Sequence, residues 1–360
     1  MDYKVSYREK DKSIQCIINY KNNDGEWKQK SKQGFKRQKD AKPWIEDTLR
    51  ELDSTMNTVL NEEYKGVTFK KFIDIYIKDL ENHKEPNTII SYKTIANKFS
   101  KLDRMALEDI QFIHVQNCAN DMLKDGLSPS TVKEYSGKLK TILDRAVIPY
   151  KVIVANPIKS GINIPTTKTS KEVKALNKSE VDDLLKKIHP EKDYMISLIA
   201  VTCGLRIGEI MGLTWDDVDF VNGKLYVKKQ WKELKDGTWG FGELKSKNSY
   251  RNVPIPPKTI VALKNYRANS AIDLINKRLF LDKRTKSTAT RLFIKYEKLG
   301  FNVSVHDLRH TYATMLIASG IDFKTAAMLL GHTVEMTMKT YSHVNQDMID
   351  MATNKINVIF

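Results

Sequence analysis

The spacing of apolar residues changes character twice along the 360 residues of this chain, and the change excludes a single uniform fold. Short β-rich segments flank a turn signal at Asn23-Asp24-Gly25, whereas apolar residues recur at helical spacing through 66–158. Within that region Ser128-Pro129 is expected to start a helix. From about residue 176, helical patterns alternate with further hairpin signals and short strands, one of them expected over 241–247. Because a domain usually holds about 100–200 residues, we predict a multidomain chain. Its predicted parts are a small α+β domain over 1–62, an all-α domain over 63–160, a linker over 161–175, and a mixed, mainly helical domain with a small antiparallel sheet over 176–360.

The charge balance indicates a polyanionic partner. Sixty lysines and arginines outnumber 44 aspartates and glutamates, which leaves a formal net charge of +16. A folded chain this basic is typical of proteins that bind nucleic acid or an anionic membrane surface. No polybasic amphipathic helix stands out in the sequence, so we expect nucleic acid rather than a membrane as the partner.

The sequence also predicts where such a protein works. No stretch approaches the run of about 18 apolar residues that a membrane span needs, and the N-terminus lacks the apolar core of a signal peptide. Three scattered cysteines, Cys16, Cys118 and Cys203, exclude a disulfide framework and suit a reducing compartment. We therefore expect a cytoplasmic protein.

Basic side chains are concentrated in residues 28–42, where Asp40 is the one acid. Two interpretations stay open: a solvated strand edge kept soluble by lysine, or a β-sheet laid against DNA phosphates. On the second interpretation the candidate DNA contacts are Lys28, Lys30, Lys32, Lys36 and Arg37.

Two histidines near residue 306 raise the question of a metal site. His306 and His310 are four residues apart on a predicted helix, as in zinc proteases, but Asp307 stands where those enzymes carry glutamate. Arg309 adjoins the second histidine, and a fixed cation beside a divalent ion costs Coulomb energy that nothing nearby offsets. We therefore predict no metal site. His306 and Arg309 share one helical face instead, which suits a phosphate group.

Four segments of the C-terminal half place two arginines, two histidines and a tyrosine in a fixed order. They are TCGLRIGEIMGLTWDDVDF (202–220), ELKSKNSYRNVPIP (243–256), HDLRHTYATMLIASG (306–320) and LLGHTVEMTMKTYSHV (329–344). This set resembles the tyrosine recombinases, in particular the integrases of temperate phages and conjugative transposons. The resemblance implies an arm-site DNA-binding domain over 1–62, a core-binding domain over 63–160 and a catalytic domain over 176–360.

The resemblance also implies roles for individual residues. Arg206 and Arg309 would clamp the scissile phosphate, because planar guanidinium groups can each bond two oxygens and stay charged. His306 and His332 would hydrogen-bond the phosphate, and Tyr341 would be the nucleophile. The remaining assignments are Lys245 as the general acid, with Lys247 two residues on and on the same strand face as its rival, and Glu209 as the residue that holds Arg206 in place.

The implied reaction is site-specific recombination through a 3′-phosphotyrosine intermediate and a Holliday junction, which integrates and excises a mobile element. The phosphotyrosine bond conserves the energy of the broken linkage, so no cofactor is expected. The implied partners are double-stranded DNA at core and arm attachment sites, three further copies in a homotetramer, an excisionase and a host DNA-bending protein, all at the bacterial nucleoid. Two alternatives remain at this point: a type IB-like topoisomerase, and a DNA-binding regulator with a vestigial catalytic fold.

The C-terminal tail is unusually apolar for a chain end. Seven apolar side chains follow Val344, and such residues are normally buried. They would cover the chain's own catalytic domain or, as the resemblance implies, dock into a neighbouring copy. These residues are Met348, Ile349, Met351, Ile356, Val358, Ile359 and Phe360.

Overall fold

The fold is known from a computed structural model that describes residues 2–11, 13–22, 25–56, 60–165, 174–271, 273 and 275–341, the side chains of 53–56 excepted. The chain divides into two compact units, Met1–Thr169 and Ser170–Phe360. The predicted docking of the apolar tail, Met348 to Phe360, lies outside the described residues.

The first unit begins with a three-stranded antiparallel sheet, β1 (Tyr3–Lys10), β2 (Ser13–Lys21) and β3 (Trp27–Phe35), in the order β1-β2-β3. Helix α1 (Lys42–Met56) follows the sheet. Cys16 and Ile18 of β2 are fully buried. Strand residues two apart point to the same side, so Cys16 and Ile18 lie on one face of the sheet. Helix α1 covers that face, because Lys30 is the cross-strand partner of Ile18 and forms an ion pair with Glu51 of α1.

Four longer helices complete the first unit: α2 (Phe69–His83), α3 (Pro86–Lys98), α4 (Phe112–Lys124) and α5 (Pro129–Val147). Helix α5 starts where the sequence indicates, because the Ser128 hydroxyl accepts a hydrogen bond from the backbone N–H of Thr131 and Pro129 occupies the first turn. Apolar residues at helical spacing point inward from all four helices and form one core. The all-α prediction for this region is confirmed.

The second unit is mainly helical. Its helices are α6 (Lys178–Lys187), α7 (Glu191–Cys203), α8 (Ile207–Met211), α9 (Pro257–Asn269), α10 (Thr285–Lys298), α11 (Val305–Ala318), α12 (Phe323–Leu330) and α13 (Val334–Tyr341). Its strands are β4 (Val218–Asp219), β5 (Lys224–Val227), β6 (Gln230–Glu233), β7 (Trp239–Gly242) and β8 (Arg251–Pro254). They form two small antiparallel sheets, β4-β5-β8 and β6-β7. The predicted mixed domain with a small antiparallel sheet is therefore confirmed.

One strand prediction is wrong. The sequence favours a strand over 241–247, which would carry Lys245 and Lys247 on one face, but β7 ends at Gly242. Gly242 pairs with Gln230, the first residue of β6, so the chain beyond Gly242 has no partner strand in this sheet. Lys245 lies in the following connection and Lys247 opens a short 3₁₀ turn.

A buried ion-pair network joins α7 to α10. Asp193 of α7 is fully buried and accepts hydrogen bonds from Arg291, at 2.6 and 2.7 Å, and from Lys295. The Ser197 hydroxyl shares a 2.6 Å hydrogen bond with the Tyr296 hydroxyl on the same two helices. Burial alone would raise the pKa of the Asp193 carboxyl, but the two cations lower it.

No helix in the described part of the chain is long and apolar enough to span a membrane.

Candidate active site

Two tight turns position Arg206 within the second unit. Helix α7 ends at Gly204, whose φ of +65° is a left-handed conformation that favours glycine. A Cβ on Gly204 would lie 2.3 Å from the Tyr312 ring, so a side chain is also excluded by space. Arg206 then starts α8, where its backbone N–H donates to Glu209 Oε2 at 2.9 Å and its Nη1 to Glu209 Oε1 at 2.8 Å. Arg206 is half-buried, and Glu209 in the first turn of α8 holds its side chain in place.

Arg309 is deeply buried, with 1% of its surface exposed. Its Nη1 donates to the Gly204 carbonyl at 2.5 Å, and its Nη2 donates to the Leu330 carbonyl. The same Nη2 lies 2.9 Å from His332 Nε2, and Nη1 lies 3.8 Å from a Glu209 carboxylate oxygen. Helices α7, α11 and α12 therefore meet at one guanidinium group.

His332 follows a second left-handed glycine. Gly331 ends α12 with a φ of +66°, and its carbonyl accepts from Arg206 Nη2 at 3.3 Å. Burial of the imidazole, with the charge of Arg309 beside it, lowers the pKa of His332 to about 3, so the ring is neutral. The Arg309 guanidinium can only donate hydrogen bonds, so His332 Nε2 must accept this one and His332 Nδ1 must carry the proton of the neutral ring. Within the described residues that Nδ1–H is buried without a hydrogen-bond partner. A buried donor is costly to leave unpaired, so this N–H is a candidate contact for a ligand oxygen.

Arg251 is the residue of this site that the sequence did not reveal. Its guanidinium donates to both Glu209 oxygens, at 3.1 and 2.8 Å, and to the carbonyls of Leu329 and Ser249. The side chains of Arg251 and Glu209 are each 2% exposed. Burial alone would raise the pKa of Glu209, but the arginines around it lower it. The one signal in the sequence was that Arg251 stands two residues before Val253, on the same face of a strand.

Tyr341 is the last described residue of α13 and is 1% exposed. Its hydroxyl lies 2.5 Å from His310 Nδ1. Burial raises the pKa of the phenol to about 12, against a smaller opposing effect of Arg309. His306, one turn earlier on α11, is exposed, and its ring packs edge-on against His310 with centroids 4.6 Å apart.

The structure brings five of the six proposed catalytic residues into one region. Arg206 and Arg309 both form ion pairs with Glu209, and Arg309 is hydrogen-bonded to His332. His306 and Tyr341 both contact His310. Lys245 is exposed, and among the described residues no hydrogen bond or ion pair holds its side chain. The carboxylates and histidines of the described residues form no metal-binding cluster.

The candidate arm contacts lie in the first unit. Lys28, Lys30 and Lys32 pair across the sheet with Tyr20, Ile18 and Cys16, which places them on the side of the sheet that α1 covers. Lys28 pairs with Glu26 at 2.8 Å, Lys30 with Glu51 at 3.7 Å, and Arg37 with Asp40 at 3.3 Å. Lys36 is exposed just after β3.

Comparison with known proteins shows the family to which this chain belongs. The model of the phage integrase family matches residues 169–348, half of the chain. The chain belongs to the phage integrase family. Two further models match the first unit of this integrase: an arm DNA-binding domain over 4–52 and the SAM-like N-terminal domain of phage integrases over 68–123.

Two curated relatives cover most of this integrase. A XerC-like tyrosine recombinase of Caldanaerobacter subterraneus is 27% identical over 335 residues, which are 84% of this chain and 85% of that protein. The ICEBs1 integrase of Bacillus subtilis is 27% identical over 319 residues, 82% of this chain and 85% of the relative. The protein is accordingly a tyrosine-type site-specific recombinase, as the sequence predicts, and neither the topoisomerase nor the regulator alternative gains support.

Solved structures share the fold. The Tn1549 transposon integrase in complex with a circular intermediate DNA matches with a TM-score of 0.67 at 22% identity, over 80% of this chain and 99% of that one. The lambda integrase tetramer bound to a Holliday junction matches with a TM-score of 0.55 at 18% identity, over 88% and 93%.

Proposed function

We propose that this recombinase integrates and excises a mobile genetic element by cutting and rejoining DNA through a 3′-phosphotyrosine at Tyr341. The observation that carries the proposal is the convergence of Arg206, Arg309 and the free Nδ1–H of His332 beside the helix end that holds Tyr341. These donors are the groups that a phosphodiester requires, since they can bond its oxygens and stabilise added negative charge.

The chemistry follows from the charges. Attack on phosphorus adds negative charge to the phosphate oxygens, which two fixed guanidinium groups and an imidazole N–H stabilise more in the transition state than in the ground state. Arg309 is held on three sides, so little reorganisation is needed during the reaction. The departing 5′-oxygen needs a proton, which we assign to Lys245, an exposed lysine on a connection without strand pairing. His306, exposed on α11, would contribute a further hydrogen bond to the phosphate.

The arm domain supports a second DNA contact. Opposite α1, the sheet presents Arg8, Gln15 and Ser31 in one row across its three strands, joined by hydrogen bonds of 3.3 and 3.1 Å. Lys4, Asn19 and Gln29 form a parallel row on that side. Guanidinium and amide side chains are those that read base edges in the major groove. We assign base contacts to these rows, and assign phosphate attraction to Lys28, Lys30, Lys32, Lys36 and Arg37.

The proposed assembly is a homotetramer on core DNA, with the arm domains on separate arm sites and with an excisionase and a host DNA-bending protein as further partners. We assign the activity to the bacterial cytoplasm, at the nucleoid, because its proposed substrate is chromosomal DNA. The structural similarity to a lambda integrase tetramer on a Holliday junction supports the assembly.

A suicide substrate tests the proposal. A duplex nicked close to the cleavage point loses its short fragment after cleavage, so the covalent protein–DNA adduct accumulates and is seen on a denaturing gel. Wild-type protein should form the adduct and Tyr341→Phe should not, while Tyr250→Phe, at an exposed tyrosine of the same unit, should form it normally. An undiminished adduct in Tyr341→Phe would refute the assignment.

A further inference from the structure

The hydroxyl of Tyr341 has one close polar neighbour that the assignments above leave without a role. His310 lies next to Arg309 on α11, and its Nδ1 is 2.5 Å from the Tyr341 hydroxyl. We propose that His310 is the base that takes the phenolic proton of Tyr341 during strand cleavage and returns it during rejoining. This inference rests on the proposed function, because it needs Tyr341 to be the nucleophile.

The phenol needs a base because the folded chain makes it a weaker acid. Burial raises the pKa of Tyr341 to about 12, so at pH 8 only about one molecule in 10⁴ would carry the reactive phenolate without help. Water is a poor candidate for the acceptor, since the side chain is 1% exposed. A nucleophile of this kind requires an adjacent acceptor within hydrogen-bond distance.

His310 is in the right protonation state to accept. Burial of the ring and the charge of Arg309 lower its pKa, and the opposing effect of Asp307 is too small to reverse this. The imidazole is therefore neutral near pH 7 and keeps one nitrogen free of a proton. The charged and titratable groups around it are Asp307, Arg309 and the exposed His306 on α11, Tyr341 on α13, and His332 after α12.

The other two histidines of the site are occupied differently. The ring of His306 packs on His310, and His332 Nε2 is engaged by Arg309. Among the described histidines, His310 is the one bonded to the phenol. Its place beside Arg309 on α11 also means that the helix that positions the phosphate clamp positions the base.

The proposed step balances. The phenolic oxygen of Tyr341 forms a bond to phosphorus while its proton moves to Nδ1 of His310. The bond from phosphorus to the 5′-oxygen breaks, and that oxygen takes a proton from Lys245. Rejoining runs in reverse, with the imidazolium of His310 protonating the departing phenolate. No oxidant, metal or cofactor enters the step.

The experiment measures the rate of adduct formation on the suicide substrate with His310→Gln, whose amide can hydrogen-bond but cannot take a proton at neutral pH. We expect a loss of about 10²- to 10⁴-fold. Site-specific replacement of Tyr341 by a fluorinated tyrosine, a more acidic phenol, should restore most of that loss, since such a phenol ionises without a base. A substrate with a sulfur in place of the bridging 5′-oxygen should not restore it, because that change relieves only the need for an acid. His189→Gln, at an exposed histidine of the same unit, should cleave normally.

The pH dependence of cleavage by the wild-type protein tests the same inference even if His310→Gln does not fold. The pKa of His310 lies below the ordinary imidazole value of about 6.5, so the cleavage rate should hold at pH 6.5 and fall only at lower pH, where protonated His310 cannot accept. Fluorinated tyrosine at position 341 should flatten that fall. A His310→Gln protein that folds and cleaves at the wild-type rate overturns the inference. So does a slow variant that the acidic phenol does not restore, or a faster one, which would show that the hydrogen bond restrains Tyr341. Wild-type protein that forms no adduct would instead remove the proposed function itself.

Discussion

Replacement of Arg251 by methionine tests whether the buried charges of the site form one unit. Methionine fills much of the volume but removes four hydrogen bonds, two of them to Glu209. The Glu209 carboxylate is 2% exposed and would keep Arg206 at 2.8 Å and Arg309 at 3.8 Å. The variant therefore leaves a buried carboxylate with half of its four hydrogen bonds, together with two unpaired backbone carbonyls.

The cost can be bounded from these contacts. Removing one partner of a buried ion pair costs about 3–5 kcal/mol. The two remaining hydrogen bonds from Arg206 place the expected loss near the lower end, at about 3 kcal/mol. For a cooperative unit of this size, that loss lowers the Tm by about 6–12 °C. Glu209→Gln combined with Arg251→Met should be less destabilised than Arg251→Met alone, because the buried charge is then gone.

Calorimetry of the full chain measures the effect, and circular dichroism confirms that the variant is folded before heating. Arg284→Met is the matched control, because Arg284 is exposed in the same unit and its loss should stay within about 0.5 kcal/mol. The coupling between Glu209 and Arg251 then follows from the four-member mutant cycle. A loss below 1 kcal/mol in Arg251→Met would show that the site does not depend on this ion pair.

Three further predictions concern separate parts of the chain. Lys245→Ala should cleave ordinary DNA slowly and recover with a sulfur at the bridging 5′-position, because a thiolate leaves without an acid; recovery in Lys247→Ala alone would move the assignment. Gly331→Ala should lose about 1–2 kcal/mol or more in urea unfolding, since its φ is +66° and its new Cβ would lie 3.0 Å from a backbone oxygen; Gly237→Ala, with a φ of +77° and open space, should lose less. Arg8→Ala should weaken arm-site binding by about 1–3 kcal/mol, measured by fluorescence anisotropy, without slowing core cleavage; unchanged affinity would contradict the assignment of base contacts to the sheet face opposite α1.

Local patterns were enough to predict the elements that depend on local chemistry. The start of α5 at Ser128-Pro129 and the inward face of the first-unit helices follow from capping and 3.6-residue spacing. Short sequence segments likewise contained Arg206 and His332, because each follows a helix that ends in a left-handed glycine, and that turn is itself local.

The errors and omissions have a tertiary origin. The end of β7 at Gly242 depends on where β6 begins, which the spacing of residues in β7 does not reveal. The side of the sheet on which Lys30 lies depends on its register with Ile18. Arg251 looks like an ordinary strand cation until the fold buries it against Glu209. In each case the deciding partner is distant in the sequence or set by a pairing register.

The charge count of the site explains why it should favour the transition state over the resting phosphate. Arg206, Arg251 and Arg309 contribute three positive charges around the single carboxylate of Glu209, and His332 is neutral, so two positive charges remain uncompensated. A phosphodiester brings one negative charge to such a site. The proposed attack by Tyr341 raises the negative charge on the phosphorus group to two, which equals the excess from the arginines and Glu209, and the proton that moves to His310 adds a third positive charge beside it. Since the guanidinium groups are already fixed by backbone carbonyls and Glu209, the second charge is stabilised without further ordering of the protein. The excess positive charge of the arginines therefore stabilises the transition state more than it stabilises the resting phosphodiester.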